Sequence, residues 1–344
     1  RQMCIRDRDN LRGPGQREAA LAAPVAELMR GVGEMVGHRV VAHNEVTVTD
    51  DAGEAVRPDF GVRVDGVLTG HIELKAPGVS LDPSTYKPRS HNGRQWQRLR
   101  ELPNLLHTNG VEWRLWRYGE LVAEPRALHV PDLLRMRGST VGYQPELERM
   151  LTGFVLWEPA PITSVSKLVD TLAPLTRLLR EETLDVMRDE RRAVRAGAPA
   201  AAQPISALHK EWRRVLFPQA NDEQFADGFA QTVVFALVLA VSEGVEVGRL
   251  PLSEIAETLT GQYGVMGRSL SLVAQPIRST PVQTAVETIT RTLSAVDWGH
   301  MADGRSDLYL HLYEHFLSAY DPALKQASGS YYTPVELVDA MVSW

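Results

Sequence analysis

Apolar residues recur at helical spacing near the start of the chain. Leu21, Val25, Leu28, Met29, Val32 and Met35 predict an amphipathic helix over residues 16–36, with Gly31, Gly33 and Gly37 weakening its end. The spacing then shortens. Apolar runs at 40–48, 56–64 and 67–76 predict three strands, separated by the turn signals Asp50-Asp51-Ala52-Gly53 and Asp65-Gly66. Residues 77–92 contain Pro77, Gly78, Pro83 and Pro88 and predict a loop. A helix is expected over 94–107, closed by Asn109-Gly110. Two strands are expected at 112–118 and 121–124, turning at Gly119. The predicted order is α-β-β-β-α-β-β.

After Pro131 the texture changes. Residues 165–194 form one long helical pattern rich in Leu and Arg, and 196–204 read as a low-complexity linker of Ala, Gly and Pro. Residues 206–320 are almost all helical in pattern, without a repeat. The expected fold class is therefore an α/β (α+β) domain over 10–130, a helical segment and linker over 131–205, and an all-α connector over 206–325.

Composition narrows the classes. The chain has 344 residues, enough for about two domains with real cores. A net charge of -6 argues against non-specific coating of nucleic acid but leaves room for a local basic groove. The single cysteine, Cys4, excludes an internal disulfide and a Cys-based zinc site. No stretch reaches the roughly 18 apolar residues of a membrane span. The longest apolar run, 232–241, reads as a buried helix, so no membrane partner is expected. With no secretory signal, a cytoplasmic location follows by default. Residues 1–9 fit nothing downstream and read as a non-native or disordered leader. The start without Met and the stop at Trp344, just inside a helical pattern, lead us to expect a fragment at both ends.

The chemistry concentrates around Pro58-Asp59-Phe60 and Glu73-Leu74-Lys75. Residues i and i+2 of a strand share a face, so Glu73 and Lys75 project together while Leu74 points into a core. Pairing of the two strands as a hairpin lets Asp59 join them. Two carboxylates beside an ammonium suit a hard cation, Mg²⁺ or Mn²⁺, and an activated water. The alternative is an ordinary surface ion pair. Glu18 shares a helical face with Leu21 and Val25 and is a second-tier candidate. From Pro83 to Arg100 no acidic residue occurs. There Lys87, Arg89, Arg94 and Arg98 are candidates for gripping a phosphate backbone, and Gln95 and Gln97 for touching DNA or the attacking water.

The run Pro58-Asp59…Glu73-Leu74-Lys75, inside an α-β-β-β-α-β order, resembles the PD-(D/E)xK restriction-nuclease superfamily over about residues 15–125. The resemblance implies that Asp59 and Glu73 are metal ligands, Lys75 the catalytic lysine, and double-stranded DNA the substrate. Self-association would then serve double-strand cleavage. At the far end, Gly329-Ser330-Tyr331-Tyr332-Thr333-Pro334 before an apolar helix is similar to the N-terminal motif of adenine-N6 DNA methyltransferases. In that family the segment lies against the S-adenosylmethionine pocket, which would make Tyr332, Thr333 and Pro334 an edge of it, with residues 326–344 the start of a methyltransferase domain. The family's glycine-containing cofactor loop and Asn-Pro-Pro-Tyr-type motif are absent. Nuclease, helical connector and methyltransferase is the order of fused restriction-modification enzymes of the type IIG and type ISP kind. The competing expectation is a non-cutting DNA-binding or scaffold region of a DNA methyltransferase.

Overall fold

The computed structural model describes residues 18–44, 57–128, 144–199, 203–215, 218–278, 280–302 and 308–321. They fall into two compact units, Arg1–Pro159 with Ser279–Arg291, and Ala160–Arg278 with Thr292–Trp344.

The first unit is built on a mixed sheet. Helix α1 (Ala19–Val36) precedes strands β1 (Val40–Asn44), β2 (Phe60–Val64) and β3 (Val67–Leu74). A 3-10 turn (Pro83–Thr85) and helix α2 (His91–Leu99) lead to β4 (Leu105–Thr108), β5 (Glu112–Arg117), β6 (Glu120–Leu121) and β7 (Arg126–Ala127). The strands pair in the order β1-β2-β3-β4-β5-β6, with β7 also on β5. Only β3 and β4 run parallel among the described strands.

Both two-residue hairpin turns among the described residues obey local backbone chemistry. Asp65 and Gly66 take φ of 51° and 89°, and Tyr118 and Gly119 take 49° and 78°. Positive φ at both central residues matches the twist of two-residue hairpins. Asp65 also accepts hydrogen bonds from the Arg39 N–H at 2.9 Å and from His38 Nδ1 at 2.7 Å, tying the turn to the head of β1.

One face of the sheet carries the apolar core. Leu21, Val25, Met29 and Val32 of α1 pack on Phe60, Val62, Ile72, Leu74, Leu106, Trp113 and Leu115. The α1 stripe continues through partly buried Val36, not the expected Met35, which is 52% exposed. Gly37, expected to weaken the helix, ends it in the left-handed conformation (φ 81°), the role glycine fills at helix C-termini. Helix α3 (Pro145–Val155) completes the cover with Met150, Leu151, Phe154 and Val155.

The expected helix over 94–107 is corrected. The helix stops at Leu99, and residues 105–108 are the buried strand β4. Pro103 lacks the N–H a helix would need, and Leu102 before it is pushed away from the helical region. Four consecutive buried residues carry no period that separates strand from helix. The strand is pinned at both ends, by the His71 N–H to the Asn104 carbonyl at 2.9 Å and the Lys75 N–H to the Thr108 carbonyl at 2.8 Å. The order up to this strand is therefore α-β-β-β-α-β.

The second unit is helical: α4 (Val165–Arg195), α5 (Pro204–Val215), α6 (Asp222–Ser242), α7 (Leu252–Gln262), α8 (Gly264–Ile277), α10 (Trp298–Ala302) and α11 (Leu308–Tyr320). The intervening helix α9 (Pro281–Leu293) belongs to the first unit up to Arg291. Helix α6 opens with a capping box between Asn221 and Gln224. It is long and apolar enough to cross a membrane by length and composition, yet Phe225, Phe229, Val233 and Leu237 are fully buried within the unit. Glu190, which no local pattern marks, accepts from the Ile205 and Ser206 N–H groups at 2.9 and 2.8 Å and so caps the start of α5 from another helix.

Gly70 sits where β3 meets α3. A Cβ there would lie 2.6 Å from both Asn104 Nδ2 and Phe154 Cε2. We expect Gly70→Ala to destabilise the protein by about 1–3 kcal/mol, the usual cost of overpacking a filled core. Chemical denaturation checks this, and an unchanged midpoint would mean the contact is slack.

Candidate functional site

The face of the sheet opposite the core carries polar residues at alternating positions of β3. His71, Glu73 and Lys75 project there, while Ile72 and Leu74 enter the core. Glu73 and Lys75 are only 2% and 5% exposed. A carboxylate and an ammonium buried this far require partners, and the fold supplies them from four chain segments.

Lys75 Nζ pairs with Glu73 Oε1 and donates to Gln95 Oε1 at 2.5 Å. Glu18 Oε1, at the entry to α1, lies 3.8 Å from the same ammonium. Asp59, at the bend that opens β2, accepts the Leu74 N–H on Oδ2 at 2.6 Å. The second oxygen of Glu73, Oε2, is buried without a hydrogen-bond partner.

The electrostatics follow from three carboxylates around one cation. Burial pushes the Asp59 carboxyl up to about 6, against the Leu74 N–H and Lys75, which favour its ionised form; Glu18 adds to the rise. Burial raises Glu73 well above the usual carboxylate range, opposed by Lys75 and reinforced by Asp59. Burial works to lower the Lys75 ammonium, but Glu73, Glu18 and Asp59 outweigh it and hold it above its ordinary value. Lys75 therefore stays cationic, while burial favours the protonated forms of Glu73 and Asp59.

Three carboxyls around one ammonium suit a divalent cation, which would displace the protons that burial favours. Among the described residues no group of three or more His, Cys, Asp or Glu is placed to hold a metal. Mg²⁺ does not need one: it is commonly held by one or two carboxylates and otherwise by water and phosphate oxygens. The donor set fits such an ion, with Asp59 and the unpartnered Oε2 of Glu73 as its hard oxygen donors.

The remaining candidates fall in different places. Gln95 is buried on the inner side of α2, whereas Gln97 is exposed, about 200° further round the same helix. Lys87, Arg89 and Arg94 are exposed and Arg98 is partly so. They belong to one compact segment. Ser90 caps α2 by accepting the Gly93 N–H at 3.1 Å, Arg94 Nη1 reaches the Arg89 carbonyl at 2.7 Å, and Tyr86 Oη donates to the Ser80 carbonyl at 2.9 Å. Trp96 packs edge-on to Trp116 of β5 at 4.7 Å between ring centroids, which anchors the helix to the sheet. Tyr332, Thr333 and Pro334 lie outside the described residues.

Two neighbours of the cluster escaped sequence reasoning. His107 of β4 is in register with Glu73, and Arg114 of β5 with His107, so the three form a row across one face. Reading 94–107 as helix hid the row. The two-residue period that reveals it exists only once 105–108 is a strand.

The Asp59 shift sets a sign. Between its ordinary value of 3.8 and about 6, the folded state holds a proton that the unfolded chain has released. Stability from this group is present below pH 4 and is lost as pH rises to about 6, by about 1–3 kcal/mol. Asp59→Asn should flatten the fall in unfolding midpoint over that window in metal-free buffer. Superimposable pH profiles for the two proteins would contradict the assignment.

No protein-family model matches the chain, and no curated protein matches it. Among solved structures, it is similar to a chain in the cryoEM structure of a DrdV–DNA complex, at 19% sequence identity and a TM-score of 0.32. The match covers 99% of this chain and 31% of that one, so the chain spans about a third of the length of the protein it overlays. A likeness this loose carries no argument about fold or function.

Proposed function

We propose that the first unit is a Mg²⁺-dependent DNA endonuclease of the PD-(D/E)xK kind, and that the chain is the nuclease and helical-connector part of a restriction-modification enzyme. The observation that carries this reading is the convergence of Asp59, Glu73 and Lys75 where β2 meets β3, with three carboxyl groups to one ammonium once Glu18 is included. The α-β-β-β-α-β order around the cluster supports it as well.

Asp59 and Glu73 would hold the cation, Mg²⁺ or Mn²⁺. When bound, the ion lowers the pKa of a water and neutralises charge on a phosphodiester. The protein's own groups do the rest. Lys75 keeps its proton, so it acts as an electrostatic and hydrogen-bonding group: it orients the attacking water and stabilises charge developing on the phosphate. Gln95 holds Lys75 from the side of α2. Glu18 contributes negative charge at the rim and helps keep Lys75 protonated. The exposed cations Lys87, Arg89 and Arg94, with Arg98, would follow the DNA backbone, a contact that positions without reading sequence. The methyltransferase to which Tyr332, Thr333 and Pro334 would belong uses S-adenosylmethionine and supplies the protective modification in this reading.

The test uses the whole 344-residue chain with linear double-stranded DNA and Mg²⁺ or Mn²⁺. Lys75→Met keeps the aliphatic stem and removes the charge. It should lose roughly 10²-fold or more in cleavage, the scale for removing one preorganised electrostatic group. Its salt-dependent DNA binding should persist. Undiminished cutting by a folded Lys75→Met protein would sink the reading. A wild-type chain that binds DNA but never cuts it would instead support a non-cutting DNA-binding module.

A further inference from the structure

His107 is 2% exposed, and neither of its ring nitrogens has a hydrogen-bond partner. Such a side chain is costly: each buried polar group without a partner forfeits its hydration, by about 1–3 kcal/mol. Native proteins keep few of these, and each calls for a ligand, an ion or an ordered water. The neighbouring position has the complementary need. Glu73 is the register partner of His107 on the parallel strand, and its Oε2 is likewise buried and unpartnered. Directly paired residues of adjacent strands present their side chains on the same face. Trp116, diagonal to His107 on that face, is a third side chain with a buried polar atom, Nε1, that has no partner.

We propose that His107 is a positioning residue for Glu73, joined to it through a shared ordered water that fixes the free carboxylate oxygen for the cation. This rests on the cation site proposed above. Burial, with Lys75 and Arg114 nearby, pushes the imidazole down to about 3, so it is neutral, with one nitrogen donating and the other accepting. A neutral imidazole can donate to the water on one side and brings no positive charge to compete with the cation. Oxygen ligands held by such outer partners bind metal more tightly, and losing the partner typically costs about 10–100-fold in affinity.

The experiment measures Mn²⁺ binding by calorimetry for the full chain and for His107→Leu, His107→Gln and Asp59→Asn, beside their metal-free melting temperatures. His107→Leu should weaken Mn²⁺ binding about tenfold or more with the metal-free melting temperature unchanged or raised, because an unpaired polar ring has been replaced by an apolar one. His107→Gln should recover much of the affinity. Equal affinities in wild type, Leu and Gln variants would overturn the proposal and leave the cation site standing. Wild-type protein that takes up no Mn²⁺, or Asp59→Asn that binds it undiminished, would overturn both. Should the Leu variant fail to fold, the ring ¹⁵N resonances of His107 in the wild type read the same link. They should shift on saturation with Mg²⁺, and unmoved resonances at saturation would reject it.

Discussion

Burial of Glu73 and Lys75 on the middle strand of the sheet is the constraint around which the first unit is arranged. Neither charge can be left alone at that depth. Each element touching the pair answers part of the demand: β2 brings Asp59 to the Leu74 amide, α2 brings Gln95 to the ammonium, and the entry to α1 brings Glu18 within 3.8 Å. The core face sees none of this. Ile72 and Leu74 alternate with the charged residues and pack under α1, so one strand serves an oily layer and an ionic one at once.

Carboxyl groups outnumber ammonium groups in the cluster. One lysine faces Glu73, Asp59 and Glu18, and burial holds protons on carboxyls that would otherwise have shed them. A structure optimised only for stability would replace such a cluster with apolar residues of similar volume, which is often neutral or stabilising. Carboxyls that burial keeps protonated, one with an unpartnered oxygen, are expected where a cation can take the place of the protons.

Some of this was legible beforehand and some was not, for physical reasons. Glu73 and Lys75 could be placed on one face because a strand repeats every two residues, and the Asp65-Gly66 and Gly119 turns could be read because positive φ restricts residue choice. Strand β4 could not be read: Leu105, Leu106, His107 and Thr108 are all buried, and a strand covered on both faces shows no alternation. That error hid His107 and Arg114. Gln95 and Gln97 looked equivalent in the chain, and only the packing of Trp96 against Trp116 decides which of the two turns inward. Glu190 was invisible for a different reason: its partners are backbone amides across the linker, and backbone partners leave no trace in composition.

Gly93 gives α2 one more property. Its Cα lies so near the Lys87 carbonyl that a Cβ would sit 2.1 Å from that oxygen, and Ser90 closes the same junction. The helix and the basic loop before it are thus packed together with no room for a side chain between them. Arg94 is on its exposed face, and Gln95, the next residue, accepts from Lys75 on its buried face. One short helix thus joins the outward-facing cations to the buried ammonium.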